Sequence, residues 1–508
     1  MLIVSESVLS DDLWIRRYPN MAMITSSAIA GALGLFESNG DIGPMKIAGS
    51  ASYDASAQQY SIVGAGINMW NSSDEFHFLW KKMKGDFVLR TRARFPAQGV
   101  DPHRKLGWLV RSSLRPDSAY ADAAIHGDGL TSLQFRRTEG AVTEELRSSA
   151  IAPDVIQLAR SGDRITLSVA TFGEPLGGEQ SVDLPLGEEV YVGLFVTSHN
   201  PDVIEKAIFT DVRIVIPAWK GLVLYRDYLG SNLEIVDTLT GESRIVYGTP
   251  EAIEAPNWTP DGKTLIYNSK GLLYRFDLAS GKSTVMDSGF AIRNNNDHVL
   301  SFDGKMLGIS HHSQEQGGKS GVYVIPATGG VPFQVTTNSP SYLHGWSPDG
   351  KTLVYTAERG DGNFDIYSIP VNGGQETRLT TAPGLDDGPE FTPDGMWIYF
   401  SSVRSGLMQI WRMHPDGSAQ EQVTNDQLNN WFPHISPDGK WVLFLSYGLD
   451  VAPGDHPYYK HVYLRLMPIT GGTPKVVAYV YGGQGTMNVP SWSPDSRHAA
   501  FVSNSGVL

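Results

Sequence analysis

Polar residues recur at fixed distances before one short phrase in the C-terminal part of this 508-residue chain. The phrase reads Trp258-Thr-Pro-Asp261-Gly, Leu300-Ser-Phe-Asp303-Gly, Trp346-Ser-Pro-Asp349-Gly, Phe391-Thr-Pro-Asp394-Gly, Ile435-Ser-Pro-Asp438-Gly and Trp492-Ser-Pro-Asp495-Ser. Seven positions before each aspartate stand Glu254, Asn296, Tyr342, Asp387, Trp431 and Asn488; five before stand Pro256, His298, His344, Pro389, Pro433 and Pro490. The fourth-before set is Asn257, Val299, Gly345, Glu390, His434 and Ser491, and strand alternation predicts that it faces inward. A second group, after the next apolar run, adds His311, His312, Glu358, Arg359, Arg404 and Asn504. Histidine, carboxylate and arginine gathered at one end of a repeat suit three chemistries. A His or carboxylate pair could act as general acid and base on a glycosidic bond. His and Arg could abstract a proton beside a uronate carboxylate, giving β-elimination. Three histidines could hold a divalent ion such as Ca or Mn. The candidate catalytic residues are His344, Asp387, Glu390 and His434. Candidate substrate contacts are His298, His311, His312, Arg359, Arg404, Trp431 and Asn488; metal ligands stay unassigned.

The elements that must position these residues are short strands. Each Pro-Asp-Gly is a tight-turn signal, because Pro fixes φ and Gly accepts a positive one. An apolar run such as Thr352–Tyr355 follows, then a polar loop, a third strand such as Asp365–Ile369, a Gly-Gly turn and a fourth strand. The aspartates lie 42 to 57 residues apart. Four strands in such a period predict one propeller blade, and six phrases predict six blades. Five are complete within residues 255–480. The sixth takes Val489–Asn504 from the end of the chain and completes itself upstream with Gly221–Tyr225, Asn232–Val236 and Glu242–Val246, so that both ends close the ring. The phrase resembles the Tol-B-type propeller repeat over residues 218–504, which implies the fold; such propellers serve in scaffolds, lyases and peptidases alike. In blade five, Tyr447–His461 is an insertion at the mouth, as a lid or specificity element would be.

Residues 41–217 lack that period and alternate instead, as in Phe87–Arg94, Leu106–Arg111, Ile165–Val169 and Val190–Thr197. Leu158–Ile165 and Val192–Ser198 resemble concanavalin-like (laminin-G-like) jelly rolls. That resemblance implies glycan binding or cleavage on a concave sheet. No Glu-x-Asp-x-x-Glu strand occurs, so the glucanase mechanism is not supported and a binding module is expected. Trp70 and Arg111, with His77, Tyr120, Asp122 and Gln134, are its candidate sugar contacts.

Composition narrows the function. Forty Lys and Arg against 54 Asp and Glu leave −14, which argues against a nucleic-acid partner. The absence of Cys excludes disulfides, thiolate metal sites and a Cys nucleophile. No Gly-x-Ser-x-Gly elbow, phosphate-binding Gly-Lys-Ser/Thr loop or His-Glu-x-x-His helix is present. Residues 1–40 read as a leader, disordered or not native to the protein; its apolar run Ala22–Phe36 is too short and interrupted to span a membrane. A periplasmic or secreted location is expected. The sequence thus predicts an all-β chain, a jelly-roll sandwich followed by a six-bladed propeller. Its expected function is cleavage of an oligosaccharide or glycoside as hydrolase or lyase, or, as the alternative, glycan or protein binding without chemistry.

Overall fold

The computed structural model describes residues 32–506, and its regular structure is almost entirely β. The N-terminal unit holds two seven-stranded antiparallel sheets. One runs in the order Ser38–Ile42, Phe76–Lys84, Glu189–Thr197, Lys105–Arg111, Tyr120–His126, Thr131–Arg136 and Glu144–Arg147. The other runs Gly177–Asp183, Arg164–Ala170, Val155–Ser161, Phe87–Arg94, Glu205–Val215, Gln59–Gly64 and Ser50–Asp54. Alternation sends Leu79, Trp108, Leu133 and Val192 of the first sheet against Phe87, Leu89, Leu158 and Ile214 of the second, in one shared core. Residues 33–40, assigned to the expected leader of residues 1–40, belong to this unit. Leu33, Leu35 and Phe36 pack on that core, and Ser38–Ile42 is already a strand; residues 1–31 lie outside the described residues.

Six blades follow. Blades one to five are four-stranded and begin at Glu254–Trp258, Asn294–Leu300, Ser341–Trp346, Asp386–Phe391 and Asn429–Ile435. Blade six joins both ends of the propeller segment: His498–Ser505 pairs with Gly230–Asp237, Ser243–Thr249 lies outside it, and Trp492 bridges Ala499 within. Gly221–Tyr225 is no strand, contrary to expectation. Its backbone closes on itself, with Leu222 N bonding Trp219 O and Asp227 N bonding Val223 O, which leaves no ladder to share. The Ser/Thr and Asp of each repeated phrase brace its turn. In blade three, Ser347 Oγ donates to Asp349 Oδ1 at 2.7 Å, and the same carboxylate oxygen accepts Lys351 N at 3.1 Å.

The two units meet through polar contacts. Arg213 of the second sheet bonds Glu234 of blade six at 2.6 Å, and Tyr479 of blade five donates to the Glu174 carbonyl at 2.6 Å. No helix among the described residues is long and apolar enough to cross a membrane.

Candidate functional site

The innermost strands are not regular. Register shifts occur between Glu254 and Asn257, Asn294 and His298, Leu343 and Gly345, Asp387 and Glu390, and Trp431 and His434. Ala255, Gly388 and Phe432 take left-handed φ values of 54°, 63° and 53° at the equivalent position. Such a bulge inserts one residue and re-aims the side chains on either side of it. It divides each strand's polar residues into two groups.

The fourth-before set rivets neighbouring blades. Glu390 of blade four accepts Ile435 N at 2.8 Å on one oxygen and meets His434 Nδ1 at 2.7 Å on the other. Asn257 Oδ1 accepts Leu300 N at 3.1 Å, and Ser491 Oγ donates to the Pro256 carbonyl at 2.9 Å. Beside these rivets, at the turn end of the ring, lies an apolar cavity of about 260 Å³ lined by Trp258, Phe302, Trp346, Phe391 and Trp492.

At the bulge and just ahead of it, residues from different blades converge. His344 of blade three meets Asp387 Oδ1 of blade four at 3.2 Å, and that carboxylate is held by Thr356 Oγ1 at 2.7 Å. Burial opposes a charged imidazole, but the fields of Asp297 and Asp387 overcome it and raise His344 to about 9. Burial would likewise raise Asp387, yet its bond to His344 brings it down to about 2. Asp297, from blade two, is pushed up by burial to about 6 despite His344. Glu254, from blade one, is pushed up by burial to about 7 despite the Tyr458 hydroxyl at 2.6 Å. Two carboxyls of raised proton affinity thus accompany an ion pair. The blade-five insertion completes the cluster: His456 stacks on Trp431 with centroids 4.4 Å apart, and Phe432 stacks on His344 at 5.9 Å.

The structure therefore brings His344, Asp387 and Trp431 together and sets Glu390 and His434 apart in a clasp of their own. Asn488 is buried beside them, its Oδ1 accepting Gly485 N at 2.8 Å. The remaining predicted residues are engaged elsewhere. His298 is fully buried with Nε2 3.2 Å from the Ile266 carbonyl, and burial lowers it to about 4 despite nearby carbonyls. His311 packs between Phe290 and Tyr323, and His312 bonds the Gly318 carbonyl. Arg359 forms a fork on Glu376, with Nε and Nη2 at 2.7 and 2.9 Å. Arg404 bonds Asp386 at 2.7 Å over the ring of Trp411. In the N-terminal unit Arg111 is fully buried beside Asp74, which Arg136 also bonds at 2.7 Å; Trp70 lies under the ammonium of Lys105.

Among the described residues, no three His, Asp or Glu side chains converge as metal ligands. Asp297, Glu254 and His456 were absent from the predicted site. Glu254 stood in the seventh-before set and His456 in the insertion, but nothing in the sequence singled them out. Asp297 lies at the bulge, where alternation gives the wrong face.

A family model described as the TolB beta propeller domain matches residues 344–450. An uncharacterized protein of Agrobacterium fabrum is 50% identical over 273 residues, spanning 54% of this chain and 92% of that protein. A solved structure from Agrobacterium tumefaciens, provisionally named TolB, is 48% identical with a TM-score of 0.53, covering 55% of this chain and 100% of that one. The Tol-Pal system protein TolB of Francisella tularensis is 25% identical over 189 residues, 36% of this chain and 40% of that protein. With its six blades, its repeated turn phrase and a relative matched along nearly its whole length, the chain belongs to the TolB-like β-propeller family.

Proposed function

We propose that the protein cleaves a glycosidic bond of an oligosaccharide or glycoside, as hydrolase or lyase, by acid–base chemistry at the propeller mouth. The observation that carries this reading is His344, bonded to Asp387 and in the field of Asp297, with the two carboxyls differing in proton affinity. Paired carboxyls whose surroundings drive their proton affinities apart supply an acid and a base together. Asp297 would give its proton to the leaving oxygen. Ionised Asp387, steadied by His344, would take one from water or from the carbon beside a uronate carboxylate. His456, half-buried on the blade-five insertion, offers a ring for a sugar to stack on. Glu390 and His434 hold the neighbouring strands in place and act as positioning residues.

Residues 41–217 belong to this proposal as a concanavalin-like jelly roll that aids substrate binding through Trp70, and residues 218–508 as the propeller domain. A periplasmic or secreted location fits a glycan substrate. A panel of aryl glycosides and uronate polymers tests the proposal, with reducing ends marking hydrolysis and ultraviolet absorbance marking elimination. His344→Ala and Asp387→Asn are expected to lower the rate by roughly a hundredfold or more. Activity retained in both variants overturns the site.

The near-complete burial of Asp297, His344 and Asp387 favours a second reading, a scaffold that binds glycan or protein without cleaving it. It predicts binding with no product, unchanged by His344→Ala.

A further inference from the structure

The segment joining the two units and the blade-five insertion meet beside Glu254. Tyr458 donates its hydroxyl to this carboxylate, and the Tyr225 ring stands edge-on to Tyr458 with centroids 5.3 Å apart. Tyr228 secures the same turn by donating to the Tyr225 carbonyl at 2.9 Å. Tyr225 is 55% exposed and Tyr228 37%, so both rings are presented to solvent rather than to the core. Tyr225 also holds a φ of 65°, a left-handed conformation that a bulky side chain adopts only under constraint.

Charge here is one-sided. Glu254 feels Asp297, and Tyr225 feels both Glu254 and Asp455; no Lys or Arg among the described residues acts on either. Elsewhere in the ring Arg359 answers Glu376 and Arg404 answers Asp386, while His344 and His434 answer Asp387 and Glu390. Glu254 is answered only by a phenol. Two buried polar atoms at the same mouth, Trp431 Nε1 and His456 Nδ1, have no hydrogen-bond partner. Buried polar atoms without partners are rare in folded proteins and call for a ligand or water.

Ring faces beside an unanswered carboxylate are the chemistry that holds an organic ammonium. The quadrupole of each ring attracts the cation, and the carboxylate accepts its hydrogen bonds. We propose that this mouth takes a protonated amino sugar, with its ammonium held by Glu254, Tyr225 and Tyr458. The inference rests on the reading of the mouth as a sugar site and adds the class of sugar.

Calorimetric titration of the full chain at neutral pH tests it, with glucosamine, N-acetylglucosamine, glucose and tetramethylammonium as ligands. Glucosamine is expected to bind at least about tenfold more tightly than its acetylated or neutral counterparts, and tetramethylammonium to compete with it. Glu254→Gln should remove that preference, and Tyr225→Ala should weaken it by roughly tenfold with the circular dichroism unchanged. Equal binding of N-acetylglucosamine, or a preference that survives Glu254→Gln, overturns the inference. Tighter capture of a lysine peptide than of glucosamine oligomers overturns it in favour of a protein ligand. A glucosamine preference without cleavage of chitosan oligosaccharides supports the ammonium site and removes the catalytic reading. His344-dependent cleavage of neutral glycans without an amine preference does the reverse.

Discussion

At the scale of single residues, the mouth is built at a cost to stability. Burial raises Glu254 to about 7, with the Tyr458 hydrogen bond working against it. The folded state therefore holds this proton more tightly than the unfolded chain does, and folding loses stability as pH rises from the ordinary glutamate value towards 7. Above that range the full penalty persists. Glu254→Gln keeps an acceptor for Tyr458 and removes the charge. Its melting temperature is expected to exceed that of the parent at mildly alkaline pH and to match it below about pH 4, where both states are protonated. Differential scanning fluorimetry across pH checks this, and a variant no more stable at alkaline pH would show that Glu254 is not strained. His344 is the counterexample within one cluster. Its raised proton affinity contributes stability below its ordinary value, and this contribution is lost as pH rises through about 9.

At the scale of elements, the innermost strands show what the sequence discloses and what it hides. The six turn phrases fix blade number and register because Pro, Asp and Gly each answer a local backbone demand. The closing strands Gly230–Asp237 and His498–Ser505 were legible as apolar runs without partners. The bulge was not legible. Alternation placed Glu390 and His434 inward, among the four catalytic candidates, whereas the extra residue at Phe432 turns His434 onto Glu390 as a clasp between blades. Nothing in the residue types marks the bulge, since Ala, Gly and Phe all occupy the left-handed position. Gly221–Tyr225 misled for a related reason: its apolar residues suit a strand, but Asp227 Oδ2 accepts Val223 N and folds the segment into turns. Replacing Glu390 by Ala strands the buried Ile435 N–H and one nitrogen of His434, and should cost about 1–3 kcal/mol. Urea unfolding measures that loss. A change near zero would mean that the clasp is not structural and would return Glu390 to the catalytic candidates.

At the scale of the whole molecule, one arginine ties the units together. Arg213 leaves the edge of the N-terminal core to bond Glu234, which also accepts Ser503, so the strand from the N-terminal side and the last strand of the chain share one buried carboxylate. Asp211 stands 3.2 Å from the same guanidinium, and Ser243 bonds it from the outer strand of blade six. The ring is closed by strands from both ends of its own segment, so loosening this carboxylate loosens the closure as well as the junction. Burial disfavours the charge on Arg213, but Glu234 and Asp211 hold it firmly protonated. Removing the cation leaves two buried carboxylates unanswered, which costs about 3–5 kcal/mol where one partner of a buried pair is deleted. Arg213→Met should therefore lower the unfolding midpoint of the whole chain. Replacing Arg213 by Met and Glu234 by Leu together, with no charge left at that pair, should recover much of the loss. Limited proteolysis locates the effect: cleavage in the single variant is expected within residues 216–230, between the two units. If the single variant instead unfolds at the parent's midpoint, the two units are held by their apolar contacts, and the propeller closes without help from its neighbour.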